Sequence, residues 1–375
     1  MQAWYLNENP YPFVPQHVLE SVDSVRASRP NKYCDPKRSA DLFEEALDEY
    51  LLCDDIGINV VSNEHHAGIN CLFGASSLIL GVLARQTKNV RILSLGTLIT
   101  VRKDPVRVAE EYAMADVITR GRLEIGFVKS GGSEMASGNA NPIGIVDRFW
   151  EAIDLILKTL THRHVNIWPG PWQQPHPPLW AATGDPVTSA ELGRRGIVNV
   201  MVFRSIEETL RAWAAYRQAR VDAGLPAPGP DRFGHTAFVY TADTDAEGVR
   251  VGSKLLWFLN TGLKSAPQYG KFLPGAMKPE AAPGLYRTRP RPGAPLVARP
   301  AAALMGLTAE QAIAKGLMFA GNPDTVYRQI MEHRERVGPY EHLVLASRSG
   351  FMTHEEATKG LKIFSREVLP RLRAL

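Results

Sequence analysis

The chain has 375 residues, 45% of them apolar and 22% charged, which suffices for one large core. Its formal charge of +4 is spread over 43 basic and 39 acidic residues. There is no Lys/Arg block of the kind that tracks a phosphate backbone, which argues against nucleic acid as a partner. Three cysteines (Cys34, Cys53 and Cys71) make neither a disulfide framework nor a C-x-x-C zinc pair, so no metal site is expected. Met1–Asn9 is polar-ended, unlike a signal peptide, and no apolar run reaches the roughly 18 residues a membrane helix needs. A reduced, cytoplasmic protein is the expectation.

Short apolar runs alternate with longer amphipathic stretches. Ala3–Leu6 reads as a strand. Ser39–Gly57 places Leu42, Phe43, Ala46, Leu47 and Leu51 on one helical face, and Gly57 ends it. Asn59–Ser62 is a strand, Phe73–Thr87 a helix and Val90–Leu98 a strand. Pro105 suits the first turn of a helix running to Thr119. Leu123–Val128 is a strand and Val146–Leu160 a helix. After a Trp/Pro-rich stretch (Trp168–Pro178), Leu179–Ala182 and Asn199–Phe203 read as strands, followed by helices at Pro186–Gly193 and Ile206–Ala223. Phe238–Thr241 is a strand, Pro323–Val337 a helix, His342–Ala346 a strand and Thr353–Leu372 a closing helix.

Eight strands, nearly all separated by helices, point to parallel pairing with helical crossovers. A doubly wound sheet would carry G-x-G-x-x-G after its first strand, where this chain reads Asn7-Glu8-Asn9-Pro10. The expected fold is therefore a single (β/α)8 TIM barrel over residues 1–375, its site at the C-terminal ends of the strands. Two segments fall outside the repeat: a proline-rich loop at 7–38 and an insertion at about 260–300, each a lid or an irregular loop.

Four strand ends carry candidate chemistry. After the second strand comes Asn63-Glu64-His65-His66. Neighbouring side chains on an extended segment diverge, so one histidine faces the barrel mouth as a base or hydrogen-bond donor, with Glu64 setting its tautomer. A structural histidine pair explains the same run. After the third strand, Gly96 and Thr97 allow a flat ligand close to the backbone, or simply form a bend. After the fourth, Lys129 precedes a Gly-rich turn that suits an anion, or a solvated turn. After the fifth, Gly184-Asp185-Pro186-Val187-Thr188-Ser189 enters a helix whose free N–H groups and hydroxyls suit phosphate. Capping by Asp185 with Pro186 at the first helical position accounts for much of that motif as well.

In their order and spacing these segments resemble the bacterial luciferase-like flavin monooxygenases. The resemblance is carried by Glu64-His65-His66, Asp104–Glu111, Ala115–Leu123, Gly126–Lys129, Asp147–Glu151 and Gln174–Trp180. It implies a barrel that binds reduced FMN supplied by a separate flavin reductase, or a deazaflavin in one branch. It also implies attack of a flavin C4a-peroxide, formed with O2, on a small organic substrate. Carried over by position, His65 resembles the family's catalytic histidine, with His66 as its neighbour. Lys129 stands where the family usually has an arginine on the flavin phosphate, and Thr188 matches a phosphate-binding hydroxyl. Gly184 and Asp185 replace a pair that is often acidic and hydroxylic, which makes Asp185 a helix cap. Tyr11, Phe13 and Tyr33, with Trp172 or Phe203, are candidates to cover the mouth and bind a bulky, partly apolar substrate, by hydroxylation or a Baeyer–Villiger step. The resemblance also implies a homodimer through the helices at 73–87 and 105–119, whose apolar residues Leu78, Leu80, Val82, Leu83 and Tyr112 exceed one core face. Hydride transfer with a deazaflavin, or a flavin-binding partner subunit without turnover, are the competing functions.

Overall fold

The computed structural model describes residues 1–21, 25–26, 31–64, 68–162, 167–262 and 304–375. His65, His66 and almost all of the insertion at 260–300 lie outside the described residues. The described strands are β1 (Gln2–Asn7), β2 (Asn59–Ser62), β3 (Ile92–Thr97), β4 (Leu123–Phe127), β5 (Leu179–Ala182), β6 (Val198–Val202), β7 (Phe233–Thr241), β8 (Met318–Gly321) and β9 (His342–Arg348). All pairings are parallel. The ring runs β1 to β7 in order, then β9, which pairs back to β1. This is a closed eight-stranded barrel, the expected TIM fold.

β8 was not anticipated. It pairs with the second half of β7, from Phe238↔Met318 to Thr241↔Gly321, beginning where β7 has parted from β6 and makes its last pairing with β9 at Phe238↔Ala346. The first half of β7 carries the barrel pairings, including Asn199↔Phe233 and Gly234↔His342. Every residue of β7 is buried, so Gly234, His235 and Thr236 belong to the strand although they break the apolar run.

Helices cover the ring: α1 (Gln16–Glu20), α2 (Pro36–Ile56), α3 (Ser76–Gln86), α4 (Pro105–Thr119), α5 (Gly132–Ser137), α6 (Ile145–Thr161), α7 (Pro186–Arg195), α8 (Ile206–Asp222), and further helices at Asp245–Gly252, Ala309–Ala314, Pro323–Val337 and His354–Ile363. One device starts four of them: an Asp or Asn cap followed by proline. Asp35, Asp104, Asp185 and Asn322 each accept from the second or third helical N–H, and the proline needs no partner there. Gly57 ends α2 at φ +75, a conformation an L side chain rarely adopts.

The barrel interior is plugged by Trp4, Val61, Leu93, Leu95, Trp180, Val198, Val200 and Val344. Trp4 and Trp180 meet edge to face at 5.3 Å, and the Trp180 ring lies 4.4 Å from that of His342. Polar edges inside are satisfied: Trp4 Nε1 donates to His342 Nδ1 at 3.4 Å, and Trp180 Nε1 donates to Glu124, which also takes the Arg91 guanidinium. Burial raises the Glu124 carboxyl above its usual range, and Arg91 and Trp180 work against that shift. A larger apolar layer fills the space between strands and helices.

The described residues of the loop at 7–38, loop one, pack around an apolar cluster of their own. Tyr11 and Val14 are buried, and with Val18, Leu19, Val25, Leu42 and Ile69 they form a satellite cluster. Trp172 does not reach the mouth. It packs on Gly121, where an added Cβ would meet its Cδ1 at 2.8 Å, just before β4 and so at the N-terminal end of the barrel. The reason is topological: a segment leading from a helix into a strand arrives at that strand's start. Leu80, Leu83 and Tyr112 are core residues, so the surplus apolar surface on α3 and α4 consists instead of Leu78 (68% exposed), Met114 (51%) and Ile118 (47%).

Three buried imidazoles give the fold an acid-sensitive side. Burial lowers His342 to about 4, His235 to about 4 and His333 to about 2, and the His235 and His333 rings stand 4.0 Å apart. They are neutral in the folded chain, while the unfolded chain protonates them near 6.5. Their contribution is therefore complete above about pH 6.5 and is lost as pH falls, toward about 4 for His342 and His235 and on toward about 2 for His333. The urea midpoint should drop steadily through that window, and His342→Gln, which cannot titrate, should flatten the drop. An unchanged slope in the variant would contradict this account.

Candidate functional site

The strand ends converge at the C-terminal face, and each holds its polar groups through a different neighbour. At the end of β2, Glu64 is buried. One of its oxygens accepts from Leu98 N at 3.1 Å and the other pairs with Arg102 at 3.2 Å. Arg102 also binds both oxygens of Glu111 on α4, at 2.5 and 2.6 Å. Burial opposes the Arg102 charge, but the two carboxylates outweigh it and hold its pKa above the ordinary value. Glu64 thus braces the loop after β3 to the end of β2, directly before His65.

At the end of β3 the Leu95–Gly96 peptide is cis. A Cβ on Gly96 would lie 2.7 Å from Val128 Cγ1, so glycine is needed for β3 and β4 to approach. The Thr97 hydroxyl accepts from Tyr112 at 2.5 Å and is directed toward α4. Beyond β4, Ser130 shares a hydrogen bond with Thr100 at 2.7 Å, tying the third and fourth loops together.

Lys129, after β4, meets the start of α7, after β5, on this face. Lys129 Nζ donates to Thr188 Oγ1 at 2.5 Å, and Thr188 Oγ1 donates to Asp185 Oδ2 at 2.6 Å. Asp185 also caps the helix through Thr188 N at 2.9 Å. Burial lowers the Lys129 pKa, and the Asp185 charge partly restores it. Burial pushes Asp185 up, but hydrogen bonds from Thr188 and the charge of Lys129 hold it below the usual carboxylate range. A half-desolvated cation, a hydroxyl and a helix start therefore share one spot, with one carboxylate already seated there. Ser189, one residue on, is fully buried and accepts from Asn199 Nδ2 at 2.9 Å, so it faces the sheet.

Arg204, like Arg102, is a residue of this face that sequence reasoning missed. It follows β6 and packs over Gly184, whose added Cβ would lie 2.8 Å from Arg204 Nε. A second cation thus flanks the start of α7, itself held by Glu208 at 3.2 Å. Its one sequence signal was its place directly after a strand. Phe203 beside it stacks on Phe238 at 4.4 Å and forms part of an apolar wall with Phe258. At the ends of β1 and β9, Glu49 is fully buried and takes Tyr5 OH, Asn7 Nδ2 at 2.8 Å and Arg348 at 2.7 Å, locking these strand ends to α2.

A cavity of about 360 Å³ beside the loop after β3 is lined by Thr100, Arg102, Lys103, Asn139, Arg148 and Glu151, among others. With Arg102 already holding two carboxylates and Glu151 in the wall, its charge is mixed. Among the described residues no cluster of three His, Cys, Asp or Glu side chains could hold a metal ion, and no helix is long and apolar enough to cross a membrane.

The family model for luciferase-like monooxygenases matches residues 33–341. The chain belongs to the luciferase-like monooxygenase family. Within the family, the oxygenase component of a flavin-dependent trigonelline monooxygenase from Acinetobacter baylyi is 30% identical over 183 residues, covering 45% of this chain and 50% of that protein. The chain thus spans about half the length of that curated relative. The 3,6-diketocamphane 1,6-monooxygenase of Pseudomonas putida is 23% identical over 266 residues, covering 58% of this chain and 69% of that protein. Among solved structures, the oxygenating constituent of 3,6-diketocamphane monooxygenase in complex with FMN superposes with a TM-score of 0.69 at 19% identity, covering 92% of this chain and 96% of that one. An F420-dependent secondary alcohol dehydrogenase superposes with a TM-score of 0.61 at 16% identity, covering 88% and 95%. At these identities the structural likeness shows the fold.

The bracing role of Glu64 is testable without ligand. Glu64→Ala leaves Leu98 N without its acceptor in a buried setting and removes one partner of Arg102. A loss of about 1 to 3 kcal/mol is expected, read as a lower melting temperature. A melting temperature equal to that of the parent would show that the loop after β3 is held otherwise.

Proposed function

We propose that the protein is the oxygenase component of a two-component, FMN-dependent monooxygenase. It would take reduced FMN from a separate flavin reductase and use O2 to oxygenate a bulky, partly apolar organic molecule. The observation that carries this reading is the Lys129–Thr188–Asp185 cluster at the start of α7, at the C-terminal face of a closed barrel. Two relatives support it by name, one a flavin-dependent oxygenase component and one a structure in complex with FMN.

These residues fit the phosphate of FMN in their donor set. Lys129 supplies the charge, Thr188 a hydroxyl and Arg204, close over Gly184, a second cation, while the N–H groups of Thr188 and Ser189 in the first turn of α7 are already taken by Asp185. Lysine lacks the forked geometry of arginine, so charge rather than directionality would dominate. Asp185 is the opposing group, because a phosphate entering here must share Lys129 with its carboxylate. Reduced FMN, when bound, supplies the electrons that reduce O2 and deliver one oxygen atom to the substrate. The protein's part is to exclude water and place a proton-transfer group. His65, immediately after the braced Glu64, is our candidate for that group, and His66 is the alternative.

Lys129→Ala should weaken FMN binding by about 1 to 3 kcal/mol, the range for one charge-assisted hydrogen bond, measured by flavin fluorescence titration. An unchanged Kd would remove Lys129 from the phosphate site. Oxygen uptake coupled to product in the presence of reduced FMN tests the whole reading. Turnover with a reduced deazaflavin in the absence of O2 would replace it with hydride transfer.

His65→Ala should leave FMN affinity and melting temperature close to the parent's. Product formation should fall by about 100- to 10,000-fold, with hydrogen peroxide released in its place. Normal coupling in that variant would transfer the role to His66.

A homodimer through α3 and α4 is part of the proposal, because Leu78, Met114 and Ile118 leave apolar area exposed on these two neighbouring helices. Light scattering should give twice the chain mass, and Met114→Lys with Ile118→Lys should shift it to the monomer. A parent that is already monomeric at micromolar concentration would refute this contact.

A further inference from the structure

Loop one does more than lie across the barrel. Its satellite cluster of Tyr11, Val14, Val18, Leu19, Val25, Leu42 and Ile69 is separate from the main core and is clipped to the loop after β2 by backbone hydrogen bonds. Tyr11 N donates to Ile69 O at 2.7 Å and Leu72 N to Asn9 O at 3.0 Å. The Tyr11 hydroxyl accepts from Asp35 N at 3.0 Å, anchoring the ring to the start of α2. The two layers nevertheless do not close on each other. Between them lies a cavity of about 280 Å³ walled by Tyr11, Tyr33, Val14, Ile69 and Leu72, with the thiols of Cys34 and Cys71 and no charged side chain in its lining.

We propose that this cavity is a binding site for a small, uncharged, apolar ring compound, distinct from the anion cradle at Lys129. Three observations set the ligand class. The walls offer two tyrosine rings and branched aliphatic side chains, which favour a flat or compact ring. Among the lining residues, polar side chains are limited to the Asn31 amide at the exposed rim, the two tyrosine hydroxyls, of which that of Tyr11 already accepts from Asp35 N, and the two thiols, so the lining offers a charged group no side chain of opposite charge. The volume is at the small end of ligand cavities, about 300 Å³ upward, which suits one or two fused rings rather than a large molecule. The Cys71 thiol is itself buried, holds a hydrogen bond from Asn63 at the end of β2, and burial keeps its pKa high, so it acts as wall and not as a nucleophile. Cys34 is half-exposed, whereas Cys53 and Cys71 are buried, so it reports on occupancy of the cavity.

Gly74 provides the means of closing the cavity. It lies on the lining, has an ordinary backbone conformation, and an added Cβ would meet nothing within 4 Å. Gly74 is exposed at the rim, so Gly74→Leu should place its side chain over the opening of the cavity without disturbing the fold, which an unchanged melting temperature would verify.

Indole serves as the probe, with the whole chain and no flavin present, so that failure here is independent of the oxygenase reading. Saturating indole at about ten times its Kd should slow alkylation of Cys34 by iodoacetamide about tenfold, followed by mass spectrometry of the Cys34 peptide. Equilibrium dialysis should give one site per chain. Gly74→Leu should abolish both effects, whereas Trp172→Ala, at the far end of the barrel, should leave both as in the parent. Cys34 labelling that is indifferent to indole would overturn the proposal. So would protection that persists undiminished in a folded Gly74→Leu protein.

Discussion

A closed ring of eight parallel strands must fill its own interior, and this requirement governs everything else in the molecule. Here it is met by two tryptophans, an imidazole and a set of branched residues stacked inside β1, β2, β3, β5, β6 and β9. The plug leaves no room for a ligand among the strands, so chemistry moves to the strand ends. Because every strand is parallel, all C-terminal ends emerge on one face, and the loops that follow them are the material from which a site can be built.

That face is assembled from pairwise ties between neighbouring loops. Glu64 and Arg102 join the second loop to the third, Thr100 and Ser130 the third to the fourth, and Lys129 and Thr188 the fourth to the fifth. Glu49 does the same for the ends of β1 and β9 from outside the ring. Most of these ties are charged or hydroxyl groups with low exposure, so each is strong only while its partner is present. The face is consequently cross-braced from the second loop to the fifth. Loop one is different, being held by a separate apolar cluster with a cavity in its seam.

The cluster at α7 shows how one residue can serve two ends. Asp185 caps the helix and in doing so brings its carboxylate to Lys129 and Thr188. The helix start thus holds an anion of its own, with Thr188 N and the Lys129 cation both acting on it. Lysine at 129 reaches Thr188 on a flexible stem, as a point charge beside the Asp185 carboxylate.

Much of this was readable from the chain alone. The alternation of short apolar runs with amphipathic helices determines a parallel β/α fold, and the Asp-Pro and Asn-Pro pairs mark helix starts closely, as at Pro105 and Pro186, because capping and proline stereochemistry are local. The absence of a glycine fingerprint after β1 separates the barrel from a doubly wound sheet for the same local reason. Tertiary structure decided the rest. β8 and the first half of β7 are strands only because neighbours bury both their faces, which no periodicity displays. Arg204 joins the site, and Trp172 leaves it, by where the chain returns to the ring. Leu80, Leu83 and Tyr112 proved to be core while Met114 and Ile118 face outward, since a helix pattern gives the apolar arc but not the packing angle that selects its buried part.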